Sequence, residues 1–214
     1  VLNNYLRAFG VNVADSLRIR PADAVDAQAL AQRFGFPMFI KPSAAGSSYG
    51  VTKVKALEEI VPAVEAARKE SDDVVVEAFM DGTELTCGLY KTHDRTVIFP
   101  LTEVVASREF FDYKAKYTPG ATQEITPARV SNEVRDRVQQ VASQVYDLMT
   151  MKGIVRIDFI VKHDGTPFVL EVNTTPGQTV TSFIPQQIRA AGMKEADVFA
   201  EVMDDSMAHS QQNQ

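Results

Sequence analysis

Four side chains late in the sequence have types and spacing that could do chemistry: Arg156, Asp158, Glu171 and Asn173. They sit in Arg156-Ile157-Asp158-Phe159-Ile160-Val161-Lys162 and Pro167-Phe168-Val169-Leu170-Glu171-Val172-Asn173, joined by His163-Asp164-Gly165-Thr166. Ile157, Phe159 and Val161 alternate with Arg156 and Asp158, the period of a strand with one polar face. Asp164-Gly165 is a two-residue turn signal. Counting outward from that turn sets Asp158 opposite Glu171 and Arg156 opposite Asn173, and a four-residue loop over 163–166 gives the same register. Like charges directly opposed on one sheet face, with Cβ atoms about 5 Å apart, repel. Two facing carboxylates with an amide oxygen two residues on therefore ask for a cation. Oxygen ligands without His or Cys suit Mg²⁺ or Mn²⁺ rather than zinc. An acidic solvated face would explain one Asp/Glu pair; Arg156 and Asn173 on the same face favour the metal site.

Those strands need a body to hold them. The 214 residues suffice for one sizeable domain or two small lobes, and 45% hydrophobic with 23% charged residues is the balance of a soluble globular chain. A net charge of −6 argues against nonspecific nucleic-acid binding. The one cysteine, Cys87, forbids an internal disulfide, fits a reducing cytoplasm and reads as a buried small hydrophobe. No apolar run is long enough to span a bilayer as a helix. The chain starts at Val1, without Met, and enters a helical pattern at once, as a piece of a longer protein would.

Leu2, Tyr5, Leu6 and Phe9 have helical spacing before Gly10, Val11 to Ile19 is extended, and Ala24 to Phe34 is a second amphipathic helix. Met38 to Pro42 and Val51 to Val54 are strands joined by the small-residue loop 43–50. That loop is neither a Walker nor a dinucleotide loop, since both of those open a helix. Its Gly46, Ser47 and Ser48 could fold over phosphates, with Lys41 as a cation beside them; a plain hairpin turn and a surface lysine account for the same residues. A helical stripe from Leu57 to Ala67 and a buried-type strand, Val74 to Glu77, follow. Glu84 opens the next strand, where a carboxylate can bond ribose hydroxyls or simply face solvent. Phe110 to Tyr117 could form a lid and leads into a polar loop through Thr126-Pro127. Ser131 caps a helix with the stripe Val134, Val138, Val141, Val145 and Leu148, ending at Gly153. The tail from Ser210 reads as disordered. None of the three histidines has a partner that suggests catalysis.

Five motifs in this order resemble one family. Phe-Ile-Lys-Pro with a Gly-Ser-Ser loop, Glu-Ala-Phe-Met-Asp-Gly-Thr-Glu, Phe-Asp-Tyr-Lys-Ala-Lys-Tyr, Arg-Ile-Asp-Phe and Glu-Val-Asn-Thr-Thr-Pro-Gly resemble the ATP-grasp portion of the D-alanine–D-alanine ligases, from Val1 to about residue 205. Glu124 to Arg129 and Thr181 to Gln187 are most similar to ligases of the Bacteroidetes type. The resemblance implies an α+β, ATP-grasp fold, with two α/β lobes and largely antiparallel sheets enclosing the nucleotide. Residues 1–79, with loop 43–50, would form the central lobe; residues 80–214, with the hairpin and lid, the C-terminal lobe.

The resemblance also assigns roles. Lys41, Ser47 and Ser48 would hold phosphates, and Lys116 the γ-phosphate. The backbone of Glu77, Ala78, Phe79 and Met80 would read adenine, and Glu84 would bind ribose. Asp158, Glu171 and Asn173 would bind two Mg²⁺ (or Mn²⁺) ions. Arg156, Gly177 and Ser182 would hold D-alanine and the oxyanion, and Ser47 and Tyr117 would form a network behind the second D-alanine. The implied reaction is two-step: a D-alanine carboxylate attacks the γ-phosphoryl group, then the amine of a second D-alanine attacks the acyl phosphate. ATP and D-alanine are the implied partners, with no nucleic acid or membrane, a homodimer for the full-length enzyme, a cytoplasmic setting and a role in peptidoglycan synthesis. The family has a further lobe before this sequence, so the isolated chain is expected to be inactive. Two other readings are a related ligase for another carboxylate/amine pair, such as D-alanine with D-lactate, and a non-catalytic nucleotide-binding module. Tyr117 matches the dipeptide-forming members; D-lactate-using relatives carry histidine there.

Overall fold

Alternating apolar and polar residues build two antiparallel sheets, each in its own compact unit. The computed structural model describes residues 2–44, 50–106 and 122–212. Among them, one unit includes 14–80 and the other includes 2–13, with helix α1 (Leu2–Ala8), 81–105 and 124–212.

The earlier unit has a four-stranded sheet in the order β1-β4-β2-β3, from β1 (Ser16–Ile19), β2 (Met38–Pro42), β3 (Thr52–Val54) and β4 (Val74–Ala78). Met38 and Ile40 alternate inward along β2 and meet Val74, Val76 and Val54. Helices α2 (Ala27–Phe34) and α3 (Ile60–Arg68) cover that apolar face with Leu30, Ile60 and Val64. Asp26 caps α2, its Oδ1 accepting from the Ala29 N–H at 3.0 Å, so the helix starts later than its apolar pattern. Pro62 falls in the first turn of α3, where its missing N–H costs no helical bond.

The later unit has the sheet order β10-β9-β5-β7-β8, with β6 also on β5. Its strands are β5 (Thr83–Lys91), β6 (Thr96–Ile98), β7 (Thr102–Ala106), β8 (Thr122–Ile125), β9 (Val155–Val161) and β10 (Pro167–Asn173). Leu85, Cys87 and Leu89 of β5 and Ile157, Phe159 and Val161 of β9 pack under α4 (Asn132–Leu148) with Val138, Ala142 and Val145. A second cluster joins Tyr90 and Phe99 to α5 (Phe183–Ala190) and α6 (Glu195–Gln212) through Ile184, Ile188 and Val198. The Tyr90 hydroxyl donates to Glu201 at 2.7 Å; burial first, then that carboxylate, pushes the phenol up to about 12.

Several expectations are corrected. Thr122–Ile125, read as polar loop, is a strand because β7 supplies a ladder. Helix α4 stops at Leu148 rather than near Gly153: Thr150 takes a left-handed φ of 48° and the Met151 N–H returns to the Tyr146 carbonyl. Helix α6 continues through Gln212, past the point where the tail reads as disordered. The division falls beside the expected one, after Met80, but residues 2–13 group with the later unit. There the Asn12 carbonyl accepts from Val169 N–H at 2.9 Å and Val13 bridges Val169.

Glu103 of β7 anchors the segment after β8. Arg129 donates to both of its oxygens at 2.9 Å. Those bonds, against an opposing desolvation, lower the Glu103 pKa. A depressed carboxylate contributes stability above its unfolded pKa of about 4.3 and loses it as pH falls through the folded value. Between pH 6 and pH 3 the thermal midpoint of the parent should therefore fall further than that of Glu103→Gln; equal falls would exclude the contribution.

Candidate functional site

The hairpin turn differs from its expected form and corrects itself before the polar residues. Gly165 N–H donates to the Lys162 carbonyl at 2.8 Å, Lys162 N–H to the Thr166 carbonyl at 3.0 Å, and Gly165 has φ 78°. This is a three-residue loop, 163–165, with glycine in the left-handed position. It shifts the pairing by one, so Val169 lies opposite Phe159 and belongs to the core. A strict alternation from Val169 would then carry Glu171 to the core face. A bulge at Leu170 inserts the extra residue, and Glu171 pairs with Asp158, Val172 with Ile157 and Asn173 with Arg156. The register expected for the polar residues therefore holds, although the one beside the turn does not.

Asp158 is buried at 8% exposure, and both of its oxygens accept hydrogen bonds. Arg156 donates from Nε to Oδ1 and from Nη2 to Oδ2, each at 2.9 Å. Asn173 Nδ2 donates to Oδ2 at 3.0 Å, and the Thr86 hydroxyl to Oδ1 at 2.6 Å. Glu171 is exposed, and its charge, like that of Glu84, acts on Arg156. Desolvation works against the Arg156 cation, but the bonds and charge of Asp158 more than offset it and raise its pKa. Burial, with the Asp158 charge behind it, pushes the Cys87 thiol up, so this cysteine is an inert core residue. Strand register puts Glu84 and Thr86 of β5 on the face of Asp158, since Thr86 pairs with Asp158 and Glu84 with Ile160.

The segment after β10 reaches the same residues. Phe183, first in α5, lies under the Arg156 guanidinium at 5.2 Å. Ser182 precedes it, but its hydroxyl does not cap the helix; it accepts from Thr179 N–H at 3.1 Å. A Cβ on Gly177 would stand 2.9 Å from that hydroxyl, so Gly177 and Ser182 are brought together.

In the earlier unit, Lys41 pairs with Glu77 at 2.6 Å. Phe79 stands 6.0 Å from Phe39, with Lys53 Nζ 4.4 Å from its ring centre. The Ala78 N–H already donates to the Asp15 carbonyl at 2.9 Å, which leaves Phe79 and Met80 to offer backbone groups beyond the strand. Ser47, Ser48, Lys116 and Tyr117 lie outside the described residues.

Asp158, Glu171 and Asn173 offer two carboxylates and one amide on one face, a set suited to a hard cation that keeps several waters or phosphate oxygens. Among the described residues no group of three or more His, Cys, Asp and Glu side chains is placed to hold a metal ion. Two histidines have carboxylate partners, neither of them at the hairpin face: His93 with Asp205 and Asp94 at 3.0 Å, and His163 with Asp81 at 3.1 Å. All are exposed loop pairs except Asp205, which lies on α6. The Asp205 bond, then Asp94, raises the His93 pKa.

The family described as "D-ala D-ala ligase C-terminus" matches residues 5–204. The chain belongs to this family. It is 52% identical over 204 residues to the D-alanine–D-alanine ligase of Bacteroides fragilis, covering 95% of this chain and 63% of that protein. The corresponding ligase of Bacteroides thetaiotaomicron is 55% identical over 202 residues, covering 94% and 62%. The chain thus spans under two thirds of the length of these relatives. A crystal structure of D-alanine–D-alanine ligase from Bacillus anthracis superposes with TM-score 0.82 at 27% identity, covering 99% of this chain and 67% of that one. The VanG D-Ala:D-Ser ligase of Enterococcus faecalis gives TM-score 0.84 at 29% identity over 94% of this chain and 59% of that one. The α+β, ATP-grasp class expected from the family's motifs agrees with these likenesses and with the two antiparallel sheets. No helix among the described residues is long and apolar enough to cross a membrane.

The sequence assigned no role to Thr86, Phe183 or Gln187, although the last two lie within Thr181 to Gln187. A signal existed for Thr86: Glu84, Thr86 and Gly88 recur at a two-residue period, opposite Leu85, Cys87 and Leu89. Gln187 interrupts an apolar stripe at Ile184 and Ile188, a polar residue where α5 must be buried.

Proposed function

We propose that the chain is the nucleotide- and metal-binding part of a D-alanine–D-alanine ligase that forms D-alanyl-D-alanine through a D-alanyl phosphate, in the cytoplasm, for peptidoglycan synthesis. The observation that carries this reading is the pairing of Asp158 with Glu171 and of Arg156 with Asn173 on one sheet face, in a chain of this family. The two compact units are the two lobes, and loop 43–50 of the earlier one covers phosphates through Ser47 and Ser48.

Lys41 leaves Glu77 to pair with phosphate, while Phe79 and Met80 offer backbone groups to adenine and Glu84 takes ribose. Asp158, Glu171 and Asn173 hold two Mg²⁺ or Mn²⁺ ions, which when bound offset the phosphate charge. Arg156 donates to the oxygen that gains charge as the amine attacks, and Phe183 beneath it keeps the guanidinium in place. Gly177 leaves room beside the Ser182 hydroxyl for a substrate carboxylate. Lys116 neutralises the γ-phosphate and Tyr117, with Ser47, closes the network behind the second D-alanine. The full-length enzyme is a homodimer.

The likeness to a D-Ala:D-Ser ligase favours one second reading, a different acceptor amino acid on the same site. Phosphate release by the full-length protein with D-alanine, D-serine and D-lactate tests both. Turnover with D-alanine alone supports the first, D-serine as better acceptor the second, and none with any of them contradicts the proposal.

A further inference from the structure

Strand β5 changes partners where it passes the candidate site. It pairs with β7 over Glu84–Thr86 and with β6 over Leu89–Lys91. Between those ladders a side chain takes the place of a strand. Gln187 is fully buried; its Oε1 accepts from Gly88 N–H at 2.8 Å, and its Nε2 donates to the Thr86 carbonyl at 3.0 Å. One side-chain amide thus satisfies two β5 backbone groups, as the N–H and C=O of one residue on a neighbouring parallel strand would. Nε2 also reaches Thr102 Oγ1 at 3.1 Å, and Thr102 bonds Thr126 at 2.6 Å, so the amide is fixed from both sides. Thr86 is the residue whose hydroxyl holds Asp158 Oδ1 at 2.6 Å.

We propose that Gln187 is a positioning residue for the carboxylate site: it fixes the backbone of Thr86 so that the Thr86 hydroxyl orients Asp158 towards the metal. The inference rests on the metal role proposed above. Core packing alone does not require glutamine here. Ile184 and Ile188 on the same helix already bury its apolar face, while the amide of Gln187 bonds the Thr102 hydroxyl and two β5 backbone groups, one of them the Thr86 carbonyl. Residues that orient a metal ligand from behind typically change metal affinity 10–100-fold.

The test is Mn²⁺–ADP binding by the full-length protein, measured by calorimetry below the lowest melting midpoint of the set. Gln187→Met keeps the volume and loses the amide; it should weaken binding about tenfold. Thr86→Val should weaken it similarly, and the double variant should be no weaker than either single one, because both act through one hydroxyl. Ile188→Ala loosens the same helix without removing a hydrogen bond to β5 and should leave affinity within about twofold of the parent. Full affinity in Gln187→Met, additive losses in the double variant, or a tenfold loss in Ile188→Ala would each overturn the inference. Glu171→Gln separates this failure from that of the metal reading: undiminished Mn²⁺–ADP binding in that variant removes the metal site itself, whereas loss there with none in Gln187→Met removes only the positioning role.

Discussion

Glu171→Gln will lower Mg-ATP-dependent phosphate release by the full-length protein by at least about 10²–10³-fold, and Asp158→Asn will do the same. The two variants differ in what they do to the fold. Glu171 is exposed on β10, so exchanging its carboxylate for an amide removes charge and leaves the melting midpoint near that of the parent. Asp158 is buried and accepts from Arg156, Asn173 and Thr86; an amide there turns an N–H₂ group towards these donors. Breaking a buried pair from one side costs about 3–5 kcal/mol, so Asp158→Asn also lowers the midpoint. Phosphate release and thermal unfolding, measured on the same samples, separate the effects. Near-parental turnover in Glu171→Gln would contradict the assignment, because no loss of stability obscures the result.

Gly82→Ala will destabilise the chain by about 3 kcal/mol. Its Cβ would lie 2.3 Å from the Val161 carbonyl oxygen, 2.8 Å from the carbonyl carbon and 2.9 Å from Ile160 Cγ2. The first two are backbone atoms that cannot retreat. Val161 is held opposite Thr83 on one side and Pro167 on the other. A chain of this size loses about 2–4 °C of melting midpoint per kcal/mol, so a fall of about 10 °C is expected in a thermal scan. A midpoint within about 2 °C of the parent would show that β9 can move away from β5. Because Glu84 lies two residues on, the substitution also tests whether the start of β5 must be fixed for nucleotide binding.

The polar face of the hairpin was legible because its signals are local. Alternation named the faces of β9, and the Arg156, Asp158, Glu171 and Asn173 pairings followed from counting. The count survived only because two deviations cancel, the three-residue loop and the bulge at Leu170; neither leaves a mark in single-residue preferences. Ser131 and its helix were legible for the same local reason, a hydroxyl placed to accept from Val134 N–H. Thr122–Ile125 and the ends of α4 and α6 were not, since a strand rich in polar residues exists by virtue of its neighbour and a helix ends where its backbone finds another partner. Gln187 is the extreme case. Its meaning depends on a gap between two ladders of β5, a property of the sheet and of no stretch of sequence.

A crystal of the full-length protein grown with Mn²⁺ and ADP, with anomalous scattering recorded at the manganese edge, tests the central claim most directly. The account predicts two manganese peaks at about 2.1 Å from oxygens shared out among Asp158, Glu171 and Asn173, with phosphate oxygens and waters completing each sphere. A peak bound elsewhere, with Asp158 still paired only to Arg156, Thr86 and Asn173, would contradict it.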